Sequence, residues 1–425
     1  MPQFSHTQGQ YAIVPFDSSC QSSDSPNMKE KIVIIGGGPA GLFCAYQLLI
    51  RNYSVDLYDQ MSGVGKKFLV AGNGGLNLTH SEELSKFSAK YGKDQEFFKE
   101  LLQEFSPQQL RDWCQEIDVP TFVGTSGRVF PEKLNAAEIL LNWTKKLSSF
   151  PAYKLFLKHR LENITEEREL IFSNGLSIKP DKVIFALGGA SWEKTGSDGF
   201  WAQLFSRLGV KLEPFLPMNC GFERDWSEPF KSKVNYHPLK NISIQFGEQK
   251  VRGEAMLTPF GIEGGAVYAI SNQIRNTIMK KGKASIFLDL KPDLSLEEVI
   301  VKLKQQKSKD SLKNQLRKGL GLDSGSIMTI RELSAPEKLR DVEYLASQIK
   351  RLELELSAVR PLSEAISTSG GVSFSALDSH LQILDLPGYY IAGEMLDFEA
   401  PTGGYLLQGC FSSAWRIVQG IDAGS

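Results

Sequence analysis

The feature that most constrains the fold is a glycine-rich segment, GGGPAG at residues 36–41, near the start of the chain. It directly follows Lys31–Ile35, an apolar β-branched run that is typical of a buried parallel strand. Helical periodicity then extends over Leu42–Arg51, and a second predicted strand, Ser54–Tyr58, ends at Asp59. Strand, glycines, helix, strand and acidic residue in this order predict a βαβ unit that binds a dinucleotide.

Each glycine of this fingerprint has a separate physical task. Gly36 permits the tight turn, Gly38 lets the backbone approach a pyrophosphate, and Gly41 allows the helix to pack closely on the strand. The helix that begins near Pro39 offers free N–H groups and the positive end of its dipole to the phosphates. Asp59 is expected to accept hydrogen bonds from the adenosine ribose. The fingerprint by itself does not separate FAD from NAD(P).

Two later segments favour FAD. KVIFALGG at 182–189 resembles the strand-plus-glycine segment that returns the chain to FAD in glutathione-reductase-like flavoproteins. GYYIAGEMLD at 388–397 resembles their last strand, whose acidic end faces the ribityl chain and the pyrophosphate. PTGGYLLQ at 401–408 then opens a helix, and its N-terminal amides are expected to face flavin N1 and O2, where they stabilise negative charge.

Composition excludes several other classes of protein. The chain has 48 basic and 49 acidic residues in 425, which argues against nucleic-acid binding over its whole surface. Its five cysteines include no C-x-x-C pair, so neither a disulfide framework nor a metal site is predicted, and a cytoplasmic location is expected. The apolar stretch Ile32–Ile50 contains four glycines and a proline, so we interpret it as strand, turn and helix rather than a membrane span.

The order of predicted elements indicates an insertion within one nucleotide-binding domain. An α/β start and an α/β end enclose a middle region with alternating segments such as Ile242–Phe246 and Ala284–Leu288, followed by helical patterns over Ser295–Leu320 and Thr329–Leu352. From Pro214 to about Leu290 no helical period is evident. The predicted divisions are a flexible N-terminal extension at 1–28 (Met28 is an alternative natural start), a discontinuous FAD-binding domain at 29–213 and 363–425, a β-rich insert at 214–292 and 346–362, and a helical insert at 293–345.

Longer motifs carry a family resemblance over nearly everything from Lys29 onward. They are GKKFLVAGNGGLNLTH at 65–80, GRVFP at 127–131, FALGGASWEKTGSDG at 185–199, GEAMLTPFGIEGGAVY at 253–268, EAISTSGGV at 364–372 and AGEMLDFEAPTGGYLLQG at 392–409. The sequence resembles a bacterial flavoprotein family described as BaiN-like or aminoacetone-oxidase-type FAD-dependent oxidoreductases. The resemblance implies an α/β fold, in which a glutathione-reductase-like FAD-binding Rossmann domain is interrupted by a β-barrel-like insert and a small helical insert.

One departure separates this chain from much of that family. The family commonly has an Arg-Cys pair where this chain has Gly75-Leu76, whereas Asn77 is kept. No role of that arginine or cysteine can be carried over, so the chain resembles an offshoot of the family whose substrate need not be the same.

Several residues near the glycine segments have two interpretations. Lys66 and Lys67 are candidates for binding a phosphate or a substrate anion, or belong to a solvated turn. Asn73 and Asn77 are candidates for hydrogen bonds to the flavin edge, or cap the loop. The residues predicted to bind the cofactor are Gly36, Gly38, Pro39, Ala40, Gly41, Asp59, Gln60, Lys66, Lys67, Asn73, Gly74, Gly75, Leu76, Asn77, Leu161, Ala186, Leu187, Gly188, Gly189, Gly393, Glu394, Asp397, Gly403, Gly404, Tyr405 and Leu406.

Three further features bear on the substrate side. Arg128 either clamps an anionic substrate or a nicotinamide phosphate or, as we favour, makes a structural ion pair. Tyr405 either covers the isoalloxazine or packs in the core. The glycine-rich Gly261–Gly265 either approaches the flavin or forms a turn between strands.

These observations support three hypotheses of function. The leading hypothesis is a FAD-dependent oxidoreductase with NAD(P)H as a transient electron donor, because only one dinucleotide fingerprint exists and FAD is assigned to it. The second is a flavin-dependent reductase of a base in RNA, motivated by residues 301–320, which contain seven basic residues and one acidic residue. The third is a redox-silent FAD-binding scaffold. No catalytic acid or base, substrate or oligomeric state is assigned by these motifs.

Overall fold

The computed structural model describes residues 28–72, 75–307 and 309–424. The predicted extension at 1–28 lies outside this range except for Met28. The strands are, in chain order, β1 Lys31–Ile35, β2 Ser54–Asp59, β3 Thr79–His80, β4 Thr121–Val123, β5 Arg128–Pro131, β6 Tyr153–Leu157, β7 Leu161–Ile164, β8 Leu170–Phe172, β9 Ser177–Ile178, β10 Val183–Phe185, β11 Leu212–Met218, β12 Phe222–Glu223, β13 His237–Phe246, β14 Gln249–Thr258, β15 Gly261–Glu263, β16 Ala284–Asp289, β17 Leu352–Leu356, β18 Ala358–Val359, β19 Ser367–Val372 and β20 Tyr389–Ile391.

Helices pack against the strands of both main sheets. The α-helices are, in chain order, α1 Pro39–Leu49, α2 Lys66–Ala71, α3 Leu84–Ser88, α4 Gln95–Glu104, α5 Pro107–Glu116, α6 Ala136–Ser148, α7 Trp201–Arg207, α8 Glu228–Lys231, α9 Gly265–Tyr268, α10 Ser271–Lys281, α11 Leu296–Lys304, α12 Leu312–Leu320, α13 Ser324–Leu333, α14 Val342–Lys350 and α15 Tyr405–Ala423.

The predicted βαβ unit lies at the centre of a five-stranded parallel sheet with the order β20-β10-β1-β2-β6. In β1, four of the five residues are buried, because helices lie against a parallel sheet on both faces. The returning segments predicted from 182–189 and 388–397 supply β10 and β20 on the other side of β1. The two ends of the chain therefore build one sheet, which the intervening residues leave and rejoin.

A second sheet, of seven antiparallel strands, has the order β17-β16-β13-β14-β15-β12-β18. Its two edge strands, β17 and β18, are separated in the chain only by Ser357, so the sheet comes close to closing on itself. It has its own hydrophobic core, formed by buried residues between Cys220 and Ala365, whereas the core around the parallel sheet draws on residues 32–210 and 372–421.

The middle of the chain differs from the sequence prediction in two respects. No helical period was predicted between Pro214 and Leu290, yet α10 is an eleven-residue helix whose Ile274 and Ile278 are buried at a spacing of four. The predicted helix Ser295–Leu320 is in fact two helices. A capping box on Ser295 begins α11, and Ser311 caps a separate α12. The pattern over Thr329–Leu352 is likewise divided between α13 and α14.

Two antiparallel strands, β11 and β19, connect the regions, and a buried arginine ties them together. Arg275 of α10, which is only 2% exposed, donates to the carbonyl oxygen of Pro217 at 2.9 Å and pairs with Glu399 at 2.5 Å. One insert side chain thus contacts both the connecting strand and the loop that precedes α15.

Candidate functional site

A cavity of about 320 Å³ lies at the carboxyl ends of the parallel strands. Its wall includes the last residue of β1, Ile35, and residues at or just beyond the ends of β2, β6, β10 and β20. In open parallel sheets, ligands bind at this edge, where the loops that follow the strands converge. The cavity therefore occupies the position that the fingerprint predicts for a dinucleotide.

Most residues predicted to bind the cofactor lie in the wall of this cavity. They are Gly36, Gly38, Pro39, Ala40, Asp59, Gln60, Lys66, Lys67, Gly75, Leu76, Asn77, Leu161, Ala186, Leu187, Gly188, Glu394, Gly403, Gly404 and Leu406. Asn73 and Gly74 lie outside the described residues. Gly41, Gly189, Gly393, Asp397 and Tyr405 are not in the wall.

The three fingerprint glycines fall into two groups. A Cβ atom on Gly36 would lie 2.2 Å from the carbonyl oxygen of Ala186, and one on Gly41 would lie 2.0 Å from the carbonyl oxygen of Gly36. Both positions therefore need glycine for close packing of the backbone. Gly38 differs, because a Cβ atom there would have no neighbour within 4 Å and would face the cavity. Gly38 has the extended backbone that any residue adopts, at φ −79° and ψ −178°.

Asp59 is partly committed to shaping the cavity. Its two carboxylate oxygens accept hydrogen bonds from the backbone N–H groups of Gly37 and Met61, each at 2.7 Å. Burial raises the pKa of Asp59, and these hydrogen bonds together with Lys66 oppose the rise. Because a carboxylate oxygen has the capacity for more than one hydrogen bond, Asp59 can still accept one from a ribose hydroxyl.

Lys67 and Glu394 form a half-buried ion pair in the cavity wall. The Lys67 ammonium lies 2.9 Å from a Glu394 carboxylate oxygen and donates to Ser191 Oγ at 2.9 Å. Glu394 also accepts a hydrogen bond from the backbone N–H of Thr368 at 3.0 Å. Lys66, by contrast, donates to the hydroxyl of Ser62 at 3.1 Å. Lys67 is thus neutralised from within the protein, whereas Lys66 remains available to an anion.

Two buried polar atoms in the wall have no hydrogen-bond partner among the described residues. They are Oδ1 of Asn77 and Oγ of Ser197, and Ser197 is only 5% exposed. Buried polar atoms without partners are rare and destabilising in native proteins. A polar ligand in the cavity, with hydroxyl and amide groups such as those of FAD, would satisfy them.

Asp397 and Tyr405, which were both predicted to bind the cofactor, contact other protein groups instead. Asp397 accepts hydrogen bonds from Lys93 at 2.6 Å and from the backbone N–H of Gly370 at 3.2 Å, behind the wall rather than in it. The Tyr405 hydroxyl donates to Glu82 at 2.5 Å, and the ring stacks on His80 with centroids 5.4 Å apart. These contacts favour the core-packing interpretation of Tyr405, and burial together with Glu82 raises the pKa of its hydroxyl.

The other glycines outside the wall support it from behind. A Cβ atom on Gly189 would lie 2.7 Å from the Thr368 side chain, and one on Gly393 would lie 2.8 Å from the Cβ of Ala40. Gly261–Gly265 is also absent from the wall: it forms β15 and the turn into α9.

The sequence interpretation missed one whole segment of the wall. Thr195–Asp198 contributes four consecutive residues, and Phe200, Trp201 and Leu204 follow. Within it, Gly196 accepts a hydrogen bond from Gln60 at 2.6 Å, which joins this segment to the end of β2. The signal was present, because TGSDG belongs to the quoted motif at 185–199, but its residues have no fixed chemical role that names a ligand.

A second missed group lies where the connecting strands meet the cavity. Asn219, Ile366 and Ser367 are wall residues, and Asn219 Nδ2 donates to Ser367 Oγ at 2.8 Å and to the Ala400 carbonyl at 2.9 Å. Asn219 has a positive φ of 53°, which asparagine tolerates better than most residues. No sequence pattern marks this contact, because its members are almost 150 residues apart.

Comparison with known proteins agrees with this geometry. The family described as HI0933-like protein Rossmann domain matches residues 30–420. The chain belongs to this family. It is a family of FAD-dependent oxidoreductases, so the predicted family, enzyme class and cofactor FAD are confirmed.

Two curated relatives show how varied the family is. The chain is 24% identical to a 3-dehydro-bile acid delta(4,6)-reductase from Clostridium scindens, over 91% of this chain and 97% of that one. It is 26% identical to a ribosomal RNA dihydrouridine synthase from Haemophilus influenzae, over 92% of this chain and 98% of that one. Relatives this distant from the chain, and this different from each other, do not define its substrate.

Solved structures confirm the predicted fold class. The chain is similar to the 3-ketosteroid-delta4-(5alpha)-dehydrogenase of Rhodococcus jostii RHA1, with a TM-score of 0.51 and 14% identity, over 94% of this chain and 98% of that one. For the 3-ketosteroid delta1-dehydrogenase of Sterolibacterium denitrificans the TM-score is 0.52 at 11% identity, over 93% and 99% of the two chains. At such identities the likeness concerns the fold alone.

Two possible features are absent from the part of the chain that the structure describes. None of its helices combines the length and the apolar composition that a membrane crossing needs. No group of three or more histidine, cysteine, aspartate or glutamate side chains is placed to hold a metal ion within the same ranges.

Proposed function

We propose that the cavity is the FAD site and that the enzyme takes electrons from NAD(P)H and transfers them to a small organic substrate. One observation carries the proposal: three glycine-containing segments, 36–40, 186–188 and 403–404, meet in the wall of one cavity. Glycines in all three places leave the backbone open to close approach by a ligand. When bound, FAD would supply hydride transfer at its flavin ring.

The wall offers different chemistry at its different parts. Backbone N–H groups at the start of α1, beside Gly38, suit the pyrophosphate, and the helix dipole adds to this attraction. Asp59 and Gln60 suit the adenosine ribose at the end of β2. The orphaned oxygens of Asn77 and Ser197 suit polar groups of the remaining cofactor, and the start of α15, near Gly404, favours negative charge on the flavin.

NAD(P)H is proposed because the flavin needs a source of electrons. A flavin that reduces a substrate has to be reduced again, and the single fingerprint is assigned to FAD. A nicotinamide cofactor would then bind transiently, without a Rossmann unit of its own. The name of one relative, a reductase, agrees with net electron transfer to the substrate.

The test of the FAD site is the Gly38→Val variant, with Gly265→Val as its matched control. A valine is compatible with the extended backbone of Gly38 before Pro39 and meets no protein atom, so the variant is expected to fold. Its side chain would occupy the space that the pyrophosphate needs. Gly265, in the insert, also has nothing within 4 Å of a Cβ position.

The flavin absorbance of the purified proteins gives the result. We expect wild type and Gly265→Val to retain FAD and Gly38→Val to lose most of it while keeping its circular dichroism spectrum. A Gly38→Val protein with full flavin occupancy would refute the site. Anaerobic mixing of wild type with NADH and with NADPH then tests the donor: bleaching of the flavin band supports it, and a flavin that neither donor reduces supports the redox-silent scaffold.

A second candidate function, reduction of a base in RNA, has one observation of its own. Five basic side chains on or between α11 and α12 are exposed and make no ion pair within the described residues: Lys302, Lys307, Lys309, Lys313 and Arg317. Exposed cations without a carboxylate partner attract a phosphate backbone. Two relatives, from Haemophilus influenzae and Escherichia coli, carry the name ribosomal RNA dihydrouridine synthase.

Salt dependence distinguishes this candidate from the first. If this surface binds RNA, a Lys307→Ala, Lys309→Ala, Lys313→Ala triple variant should bind a ribosomal RNA fragment more weakly, and its affinity should fall less steeply with salt. Lys280→Ala, Lys281→Ala, in the exposed end of α10, is the control. Equal affinities for all three proteins, or no binding at low salt, would count against an RNA substrate.

A further inference from the structure

The hairpin formed by β4 and β5 presents a mixed face of one cation and two aromatic rings. Val129 is fully buried, and since side chains alternate along a strand, Arg128 and Phe130 point to the opposite face. Phe122 lies directly across from Phe130 in the antiparallel pair. Their rings are stacked, with centroids 5.7 Å apart and an interplanar angle of 24°. The three side chains Arg128, Phe130 and Phe122 are called the hairpin face below.

The hairpin face lies against two loops of the cavity wall. The Cε1 atom of Phe130 is 3.9 Å from the position of a Cβ atom on Gly75, and Nε of Arg128 is 3.6 Å from that position on Gly403. Both glycines line the cavity, and both have a positive φ, 117° for Gly75 and 120° for Gly403. The hairpin face is therefore adjacent to the proposed FAD site. It also lies next to Gly75, where the sequence differs from the Arg-Cys pair that is common in the family.

Arg128 has no acidic partner in this position. Among residues 28–72, 75–307 and 309–424, no carboxylate oxygen lies within 4.0 Å of its guanidinium, so the structural ion pair that the sequence favoured is not present. The nearby Glu82 is engaged by Tyr405. A half-buried guanidinium without a carboxylate is well suited to bind a carboxylate or phosphate, often through two parallel hydrogen bonds.

The aromatic pair has a surface to offer as well. Phe122 is 39% exposed although its neighbour Phe130 covers one side of its ring. Exposed aromatic rings beside a cavity provide flat apolar area at a low cost in conformational entropy, and they stack on other flat rings. Cation and rings on one face together match a ligand that has a flat ring and an anionic group.

We propose that the hairpin face is the recognition site for a small planar molecule that carries an anionic group. Its ring would lie against Phe122 and Phe130, and its anion would pair with Arg128. The inference rests on the proposed function, because it takes the adjacent cavity to be the FAD site. Two sources supply this chemistry, a nucleotide phosphate, as in NAD(P)H, and a carboxylate on a ring compound.

The test measures the binding of paired probes to the FAD-loaded protein by calorimetry. Nicotinamide mononucleotide and nicotinamide riboside differ by a phosphate, and 1-naphthalenemethanol has a hydroxymethyl group where 1-naphthoate has its carboxylate. The variants are Arg128→Ala and Arg128→Lys, with Lys133→Ala as the control, because Lys133 follows the same strand but pairs with Glu138 at 2.6 Å. The anionic probe that wild type binds identifies the source.

We expect Arg128→Ala to weaken binding of the probe with the anionic group about tenfold or more and that of its partner without this group by less than about twofold. Arg128→Lys, which keeps the charge but not the planar fork, should be intermediate. Lys133→Ala should match wild type. The proposal is overturned if wild type binds neither anionic probe, or if Arg128→Ala binds both as wild type does. A uridine-rich RNA is measured alongside these probes. If its binding alone depended on Arg128, the proposal of a small-molecule site would likewise be overturned.

Phe122→Ala tests the stacking part separately. It should weaken the binding of probes with and without the anionic group alike, by about threefold, and should leave the melting temperature nearly unchanged because the ring is exposed. The flavin content of each protein separates this inference from the proposed function. Wild-type protein without flavin would refute the proposed FAD site itself. Flavin-loaded protein whose probe binding does not depend on Arg128 and Phe122 would refute only the proposed role of the hairpin face.

Discussion

The two regions of the molecule are built on opposite principles. Around the parallel sheet, the cavity wall depends on missing side chains: a Cβ atom on Gly38 would face the cavity, and one on Gly36 or Gly404 would collide with backbone. The antiparallel insert, between residues 220 and 365, has an interior that exists because side chains are present and interlock. The first region should therefore fail when an atom is added, and the second when atoms are removed. Each prediction below tests one side of this contrast.

The largest effect is expected from Gly36→Ala. The new Cβ atom would lie 2.2 Å from the Ala186 carbonyl oxygen, on a backbone with φ of 109° that an L-residue rarely adopts. Backbone on both sides cannot yield as a flexible side chain would, so we expect more than about 4 kcal/mol of destabilisation and little soluble protein. Soluble yield and the urea midpoint measure it, and Gly265→Ala is the control. A Gly36→Ala protein as stable as wild type would contradict the packing argument.

The insert should show the reverse sensitivity at Leu354→Ala. Leu354 of β17 is fully buried and lies opposite Ile286 of β16 in the sheet, so truncation leaves a cavity that its neighbours fill only in part. The expected loss is about 2–5 kcal/mol in the free energy of unfolding. Met279→Ala, at a side chain that is 60% exposed, should lose far less.

Flavin occupancy sharpens this second prediction. Within the described residues, the cavity wall draws nothing from 221–365, so Leu354→Ala protein that remains folded should keep its FAD. Loss of flavin at a temperature where the protein is still folded would show that the insert core and the cavity are coupled, and would weaken the contrast between the regions.

A smaller effect is expected where the cavity does depend on side chains, at Glu394→Gln. The substitution removes the charge that neutralises Lys67 across 2.9 Å, in a pair whose side chains are 21% and 10% exposed. Lys67 keeps Ser191 and some contact with solvent, so the loss should be about 1–3 kcal/mol, below that of a fully buried pair. Chemical denaturation gives the value. Glu96→Gln, in the exposed pair with Lys99, should change stability by less than about 0.5 kcal/mol.

The same contrast explains which parts of the structure could be predicted from sequence. Gly36, Gly38 and Gly41 could be recognised because all three lie within six residues and each position requires glycine for its own reason. These reasons are a tight turn, the close approach of a ligand and the close packing of helix on strand. Helix α10 was not recognised, because its short apolar stripe of Ile274 and Ile278 lies among strands and carries no side-chain cap. Interiors made of interlocking side chains tolerate many sequences, so their elements leave a weaker pattern.

Contacts between distant segments were the hardest to predict. Ser197, Asn219 and Ser367 became wall residues only through the packing of segments that lie far apart in the chain. Arg128 shows the same limit in the other direction: an ion pair was favoured from the sequence, and only the fold shows which groups lie beside the guanidinium.

The smallest predicted effect lies between the two regions, at Asp94. Burial raises the pKa of this carboxyl to about 6, with Asp397 and Glu399 adding to the rise and Lys93 opposing it. One of its oxygens, Oδ2, is buried without a hydrogen-bond partner among the described residues. Its neighbours connect both regions, because Asp397 pairs with Lys93 and Glu399 pairs with Arg275 of the insert.

The sign of the resulting pH dependence follows from proton linkage. Asp94 in the unfolded chain has an ordinary pKa of about 3.9, so between about pH 4 and pH 6 the native state binds the proton that the unfolded state has lost. This contribution to stability is present below pH 4 and is lost as the pH rises through 6. Asparagine does not titrate, so Asp94→Asn avoids this loss: its stability relative to wild type should rise across that window and hold a constant advantage above it. Melting temperatures from pH 4 to pH 8 measure the difference, and parallel curves for the two proteins would show that folding does not raise the pKa of Asp94.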